Sequence, residues 1–365
     1  MAKKKGSLKL MLDIFMALGV FSIVFIILTC QTDAYELRTF GDVCSFRSLQ
    51  NYGLRSCQVL RIQRFDSRTK WPAELSNDFD PVTIMELGKD PGLGIRQLHE
   101  RGITGKNIGV AVIDGPLFLN HQEYGDRVAY YRPPAGLLRF KKPVYHASMV
   151  VSILGGKTTG VAPECKIHYF GGDLDKFDSI PLIIREIIKY NKGLSTRDKI
   201  RVISVSAGCA LPHWMEAIAE AAENGITVVT SAEMFGGMEL GGVQCPLGQD
   251  RDNPTNYQTC YFMKSMMINN GSGRLCVPID NRTFADFKSE DGYIFNPSGG
   301  MSEGVPYFAG LAALLCQVNP DLTTSELMAV VLESATPFGE AFIVNPRGAV
   351  RLAEEKALPA YTMTN

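Results

Sequence analysis

The chain is 365 residues long, 45% hydrophobic and 21% charged, with a formal net charge of −1. That is ample material for one large globular core with extensions. Beyond the first ten residues no run of Lys or Arg exceeds a pair, so the electrostatic footprint of a nucleic-acid binder is missing and no nucleic-acid partner is expected.

At the N-terminus, Lys3, Lys4, Lys5 and Lys9 precede an uncharged apolar run over residues 14–29. Basic residues stay on the cytoplasmic side of a membrane, so residues 1–30 read as a signal or transmembrane anchor with the rest of the chain extracytoplasmic. Leu10, Met11 and Leu12 lengthen the run towards the roughly 20 residues that a bilayer requires. No small-x-small cleavage site follows, which favours an uncleaved anchor over a cleaved signal and secretion. Lipidation at Cys30 is disfavoured by Thr29, which stands where the lipoprotein signal has Gly, Ala or Ser.

Residues 31–89 differ in character: Arg, Asp, Ser and Asn interrupt short apolar pieces, and Trp71-Pro72 marks a turn. A segment of about 60 residues makes only a marginal core of its own. It reads either as a pro-segment or as a stalk.

From residue 90 onwards, apolar runs of strand length at 108–113, 166–170, 202–206 and 226–231 alternate with helical periodicity at 182–190 and 212–223. This alternation predicts a three-layer α/β fold, a mostly parallel sheet with helices on both faces. Thr or Ser caps a further helix at 325–333, with Glu326 in its first turn. The domain is expected over residues 90–357, followed by a tail at 358–365.

Nine cysteines are present, without the paired Cys-x-x-Cys spacing of a structural zinc site. Outside the cytoplasm, Cys44 with Cys57 or Cys245 with Cys260 offer disulfides. Cys165, Cys209, Cys276 and Cys316 lie beside apolar runs and read as buried small side chains. Asp250 and Asp252, with Arg251 between them, read as a solvated charge cluster. Asn281-Arg282-Thr283 satisfies the N-glycosylation pattern.

Three polar residues stand out by their joint arrangement. Asp114 ends an apolar strand, His146 opens an apolar helix, and Ser302 precedes a helix of small residues that starts at Pro306. Taken singly, each is commonplace: a loop carboxylate, a structural histidine, an N-cap serine. Together, at the carboxyl ends of parallel strands, they converge on one crevice. One chemistry uses all three: Ser302 attacks a carbonyl, His146 moves its proton, and Asp114 orients the imidazole.

Gly300-Met301-Ser302-Glu303-Gly304-Val305-Pro306 and the small-residue stretch after it resemble the nucleophile helix of the subtilisin-like serine peptidases, whose motif is Gly-Thr-Ser-x-Ala-x-Pro. The strand 109–114 with Asn120-His121, the helix start at His146 and the full match Gly160-Val161-Ala162-Pro163 are similar to the same family. The resemblance spans about residues 92–357 and implies a subtilisin-like endopeptidase acting on peptides or proteins without a cofactor. It implies catalytic roles for Asp114, His146 and Ser302, and leaves His121 as a loop residue. It also implies that Ser206, Ala207 and Gly208 line the cleft and pair with an extended substrate.

Two departures qualify the resemblance. Met234 occupies the position where the family's Asn donates to the oxyanion, and Met cannot donate. A replacement would have to come from residues such as Asn253, Asn256, Asn269 or Asn270. The connection 155–160 is shorter than the family's calcium-wrapping loop, so no metal site is expected there despite Glu123 nearby. A peptidase with an altered oxyanion hole is the first expectation, and a silent peptide-binding module of the same fold is its rival.

Overall fold

The computed structural model describes residues 42–43, 60–71, 79–134, 142–209, 211–259 and 274–357. The basic and apolar N-terminus, Cys30, Cys44, Cys57, Cys260, Asn269, Asn270 and the tail at 358–365 lie outside them. Among the described residues no helix is long and apolar enough to cross a membrane.

The chain enters through a two-residue strand, β1 (Phe65–Asp66), and two short helices, α1 (Pro81–Leu87) and α2 (Ile95–Glu100). The central sheet follows, with β2 (Gly109–Asp114), β3 (Val128–Arg132), β4 (Lys166–Gly171), β5 (Ile200–Val205) and β6 (Thr227–Thr230), interleaved with α3 (Tyr145–Gly155), α4 (Ile180–Lys192) and α5 (Pro212–Glu223). Its order is β3-β4-β2-β5-β6, and every neighbouring pair is parallel. Successive side chains of a strand point to opposite faces. In β2, accordingly, Val110 and Val112 join one core while Ala111 and Ile113 join another. Both faces are covered, which is why these strands read as unbroken apolar runs in the sequence.

A second sheet is built from β7 (Leu240–Gln244), β8 (Gln258–Thr259), β9 (Leu275–Pro278), β12 (Thr336–Phe338) and β13 (Ala341–Ile343), and a third from β1, β10 (Arg282–Ala285) and β11 (Tyr293–Asn296). The C-terminal helices are α6 (Met301–Val318), α7 (Thr324–Ser334) and α8 (Pro346–Ala357). α7 carries the cap expected from the sequence: Thr323 accepts from the Glu326 N–H while the Glu326 carboxylate accepts from the Thr323 N–H.

α6 corrects one expectation. It begins at Met301, with Pro306 inside it, so Ser302 lies in the first turn and does not precede the helix. α6 also packs against α3 and β5. The approach to α3 and the connection after it is close, because a Cβ on Gly310 would stand 3.2 Å from the Leu154 carbonyl oxygen and 2.6 Å from the Val161 Cβ.

Residues 60–71 and 79–90 pack against the body. Phe65 pairs with Phe295 and Asp66 with Ile294 across β1 and β11. Phe65, Phe79, Ile84 and Phe295 share a small core. Arg68 bridges the buried carboxylates of Asp66 and Asp286 at 3.2 and 2.5 Å.

Candidate active site

Asp114 ends β2 and is 1% exposed. Its Oδ1 accepts the Gly115 N–H at 2.6 Å, and its Oδ2 lies 2.7 Å from Nδ1 of His146 in the first turn of α3. An ionised carboxylate can only accept. Nδ1 is therefore the donor, leaving Nε2 as the nitrogen free to take a proton. Tyr169 hydroxyl donates to the Gly115 carbonyl and braces the turn that carries Asp114.

Burial draws the imidazole towards the neutral form, but the Asp114 hydrogen bond and charge, joined by the charge of Glu303, outweigh it and raise His146 above its ordinary value. Glu303 is 7% exposed, and burial pushes it up to about 6 against the opposing pull of N–H donors at Gly300 and of His146. Its carboxylate folds back over the start of α6, accepting the Gly300 N–H at 2.9 Å and the Asn296 amide at 3.4 Å.

Ser302 sits beside Glu303 in that same turn. Pro306 has no N–H to donate to the carbonyl four residues back, and the Ser206 hydroxyl donates to it instead at 3.1 Å. Among the described residues no hydrogen bond joins Ser302 to His146, so the pair in contact is Asp114 with His146. Apo geometry of this kind does not disqualify a nucleophile. A cavity of about 210 Å³ opens beside Asp114 and His146, walled by Val144, Asp173, Leu174 and Asp175. A larger one of about 650 Å³ lies beside Arg101 and Arg347 and touches none of the three residues.

No family model and no curated protein matches the sequence. Solved structures do match. A structure of the subtilase cytotoxin SubAB aligns with a TM-score of 0.55 at 16% identity, over 73% of this chain and 96% of the other. A protease of Pseudoalteromonas arctica aligns at 0.52 and 18% identity, over 75% and 98%, and the prenylagaramide maturation protease PagA at 0.50 and 19%, over 71% and 98%.

The fold is subtilisin-like. Within the subtilisin-like fold, Ser206 and Ala207 are nearly buried beyond the end of β5, and Gly208 packs against Ala232. The Ala207 carbonyl already accepts the Ser231 N–H at 3.2 Å.

Met234 is fully buried, its side chain in the main core and its N–H bonded to the Met238 carbonyl at 2.8 Å. Its side chain therefore offers no donor to the cleft. Asn253 and Asn256 do not replace it. Asn253 accepts the Thr255 N–H, and Asn256 donates to the Asp250 carbonyl at 2.9 Å, inside a loop tied to the start of α2 through Asp252 and the Gly94 N–H. Asp252 thus serves as a tie, only Asp250 of that pair is exposed, and the Arg251 side chain between them is 9% exposed, so the three do not form a solvated cluster.

Glu123 accepts from the Thr158 N–H and hydroxyl at 2.7 and 2.6 Å and from the Tyr293 hydroxyl at 2.6 Å, so neutral donors occupy its oxygens. Among the described residues no group of His, Cys, Asp and Glu is arranged to hold a metal. His121 is buried and bonded to the Gly292 carbonyl at 2.7 Å, as a loop residue would be. Cys165, Cys276 and Cys316 are buried as expected, and Cys209 is half-exposed.

Asn296 and the hydroxyl of Ser206 were not anticipated from the sequence. The missing N–H of Pro306, four residues after Ser302, is the one signal that an outside donor would be needed. Nothing comparable points to Asn296.

Proposed function

We propose that the protein is an exported, membrane-tethered serine endopeptidase that hydrolyses peptide or protein substrates through an acyl-enzyme. The observation that carries this reading is the 2.7 Å contact of Asp114 with His146 at the carboxyl end of the sheet, beside the helix turn that bears Ser302.

In this reading Ser302 Oγ attacks the scissile carbonyl and His146 Nε2 takes its proton. The imidazolium, held by Asp114, returns that proton to the leaving amine. Water then repeats the sequence on the ester, and the chemistry requires no cofactor. The Ser302 N–H, in a first turn whose amides lack intrahelical partners, serves the oxyanion. Ser206, Ala207 and Gly208 border the peptide. Two of the neighbours are described as proteases, which supports a peptide substrate. Export and tethering rest on the lysines and the apolar run of the N-terminus.

The buried side chain of Met234 favours a second reading, a catalytically silent module of this fold that binds peptides or a partner protein at the cell surface. Labelling of the full-length protein with a fluorophosphonate separates the two. Labelling that disappears in Ser302→Ala and His146→Ala establishes an activated serine, and folded protein that never labels leaves the binding module.

A further inference from the structure

The first turn of α3, which carries His146, is weakly held by its own helix. Its N-cap, Val144, makes no side-chain cap, and the first helical hydrogen bond, from the Ser148 N–H to the Val144 carbonyl, is 3.5 Å long. Such bonds ordinarily measure about 2.7–3.2 Å. Restraints from elsewhere in the fold must therefore set the turn. Asp114 supplies one, on His146 itself, and the Val144 N–H, donating to the Pro116 carbonyl at 2.9 Å, supplies another. A third falls on Tyr145, the residue before His146.

Tyr145 is half-buried, and its ring meets Phe284 of β10 edge-on with centroids 5.3 Å apart. A cavity of about 400 Å³ borders the same residue, lined also by Arg64, Arg68, Phe287 and Lys288, so the body alone does not enclose the ring. Arg64 lies over it, its guanidinium carbon 4.9 Å from the ring centroid, within the roughly 6 Å of a cation–π contact.

Arg64 belongs to an arm, residues 42–43 and 60–71, that places it from two sides. The Asp42 carboxylate pairs with its guanidinium, and its carbonyl accepts the Val43 N–H at 2.8 Å. One residue on, Phe65 pairs with Phe295 of β11, the strand before α6. The arm thus touches both the turn that bears His146 and the strand that leads towards Ser302.

We infer that Arg64 is a positioning residue of this centre, acting through Tyr145 on the first turn of α3, and that the arm belongs to the active form instead of being a segment whose removal activates the enzyme. The inference rests on the reading of His146 as base and Ser302 as nucleophile. A general base must stay within hydrogen-bond reach of the hydroxyl it deprotonates, and a displacement of about 1 Å can cost about a hundredfold in rate. A contact one residue from the base is close enough to be read in the rate.

The test compares wild type, Arg64→Ala, Arg64→Lys, Tyr145→Leu and the double variant Arg64→Ala/Tyr145→Leu as full-length chains, each checked for a cooperative thermal transition. Two quantities are read: the second-order rate of fluorophosphonate labelling, and the downfield proton resonance of the His146 Nδ1–H that donates to Asp114, assigned with His146→Gln.

Arg64→Ala is expected to label about three- to tenfold more slowly and to shift or broaden the Nδ1–H resonance. Arg64→Lys, which keeps a cation over the ring, recovers most of both. Tyr145→Leu slows labelling to a similar extent, and the double variant is no slower than the slower single one, because both act through one contact. Should Arg64→Ala not fold, Tyr145→Leu against wild type carries the test. Folded single variants with the wild-type rate and resonance, or losses that are fully additive in the double variant, overturn the proposal. Label found at the full rate on protein that has lost the arm overturns it as well. If wild type never labels, the peptidase reading fails separately, and the resonance alone decides whether Arg64 governs the turn.

Discussion

The hydroxyl of Ser206, just past β5, donates to the carbonyl of Ser302 in the first turn of α6 across 3.1 Å. A residue just past a strand of the central sheet thereby takes the place of the amide that Pro306 lacks, and the turn that bears Ser302 is tied to the sheet as well as to its own helix. Removing a partner from such a carbonyl costs about 1–2 kcal/mol. Ser206→Ala is expected to lower stability by that amount. In a Pro306→Ala background, where residue 306 regains an N–H, the same substitution is expected to cost less than half as much. A double-mutant cycle by urea unfolding checks the coupling.

Restoring the family's amide at position 234 is expected to fail. The Met234 side chain lies wholly in the core, so Met234→Asn buries an amide where no partner awaits it, at about 2–3 kcal/mol. Thermal unfolding should show the loss, and fluorophosphonate labelling should not rise.

Asp280 gives a pH signature. It is buried, and burial pushes it up to about 6 from an ordinary 3.8, despite the pull of Arg251, the Cys245 N–H and Asn281. A carboxyl harder to ionise in the folded than in the unfolded chain contributes stability that is complete below pH 3.8 and lost as pH rises through 6. The difference in unfolding free energy between wild type and Asp280→Asn should therefore shrink by about 2–3 kcal/mol at wild type's expense between pH 3.5 and 7. Glu303 titrates in the same direction and window, so the comparison with the Asn variant is what isolates Asp280.

The docked segment before residue 90 is expected to matter for folding. Phe65 is 1% exposed, with ring centroids 5.2 Å from both Trp71 and Phe295. Phe65→Ala should cost about 3–4 kcal/mol, readable as a fall in Tm of the full-length protein.

The sequon at Asn281 is expected to stay empty in native protein. Its side-chain amide is buried, donating to the Cys245 carbonyl at 2.9 Å and to Asp280 at 2.7 Å. A glycan on that nitrogen would displace both bonds, so mass spectrometry of folded material from a glycosylating host should find Asn281 unmodified.

Sequence patterning identified four strands of the central sheet because burial on both faces leaves an apolar run, as in β2 and β5, but it missed the edge strand β3, whose residues are only partly buried. It did not reveal the second sheet: Leu240–Gln244 carries two glycines and Leu275–Pro278 ends in a proline, so neither has the composition of a strand. β1 has two residues and no pattern at all; pairing with β11, some 230 residues away in the chain, defines it. The contact of Asp114 with His146 was legible because each lies at the mouth of its own element. The start of α6 was misjudged because Pro306 resembles a first-turn proline. The hydroxyl that makes it tolerable inside the helix comes from Ser206, a distant part of the chain.

The pairing of β1 with β11 has a consequence for solubility. β11 is flanked by β10 on one side and, at Ile294 and Phe295, by β1 on the other, so the strand leading into α6 is covered there on both edges. Trimming the chain back past Asp66 would bare the N–H and C=O groups of β11 next to the apolar Phe295. An uncapped strand of this kind is a template for pairing with a second copy. The short arm thus occupies an edge at which a second copy would otherwise have backbone groups to pair with.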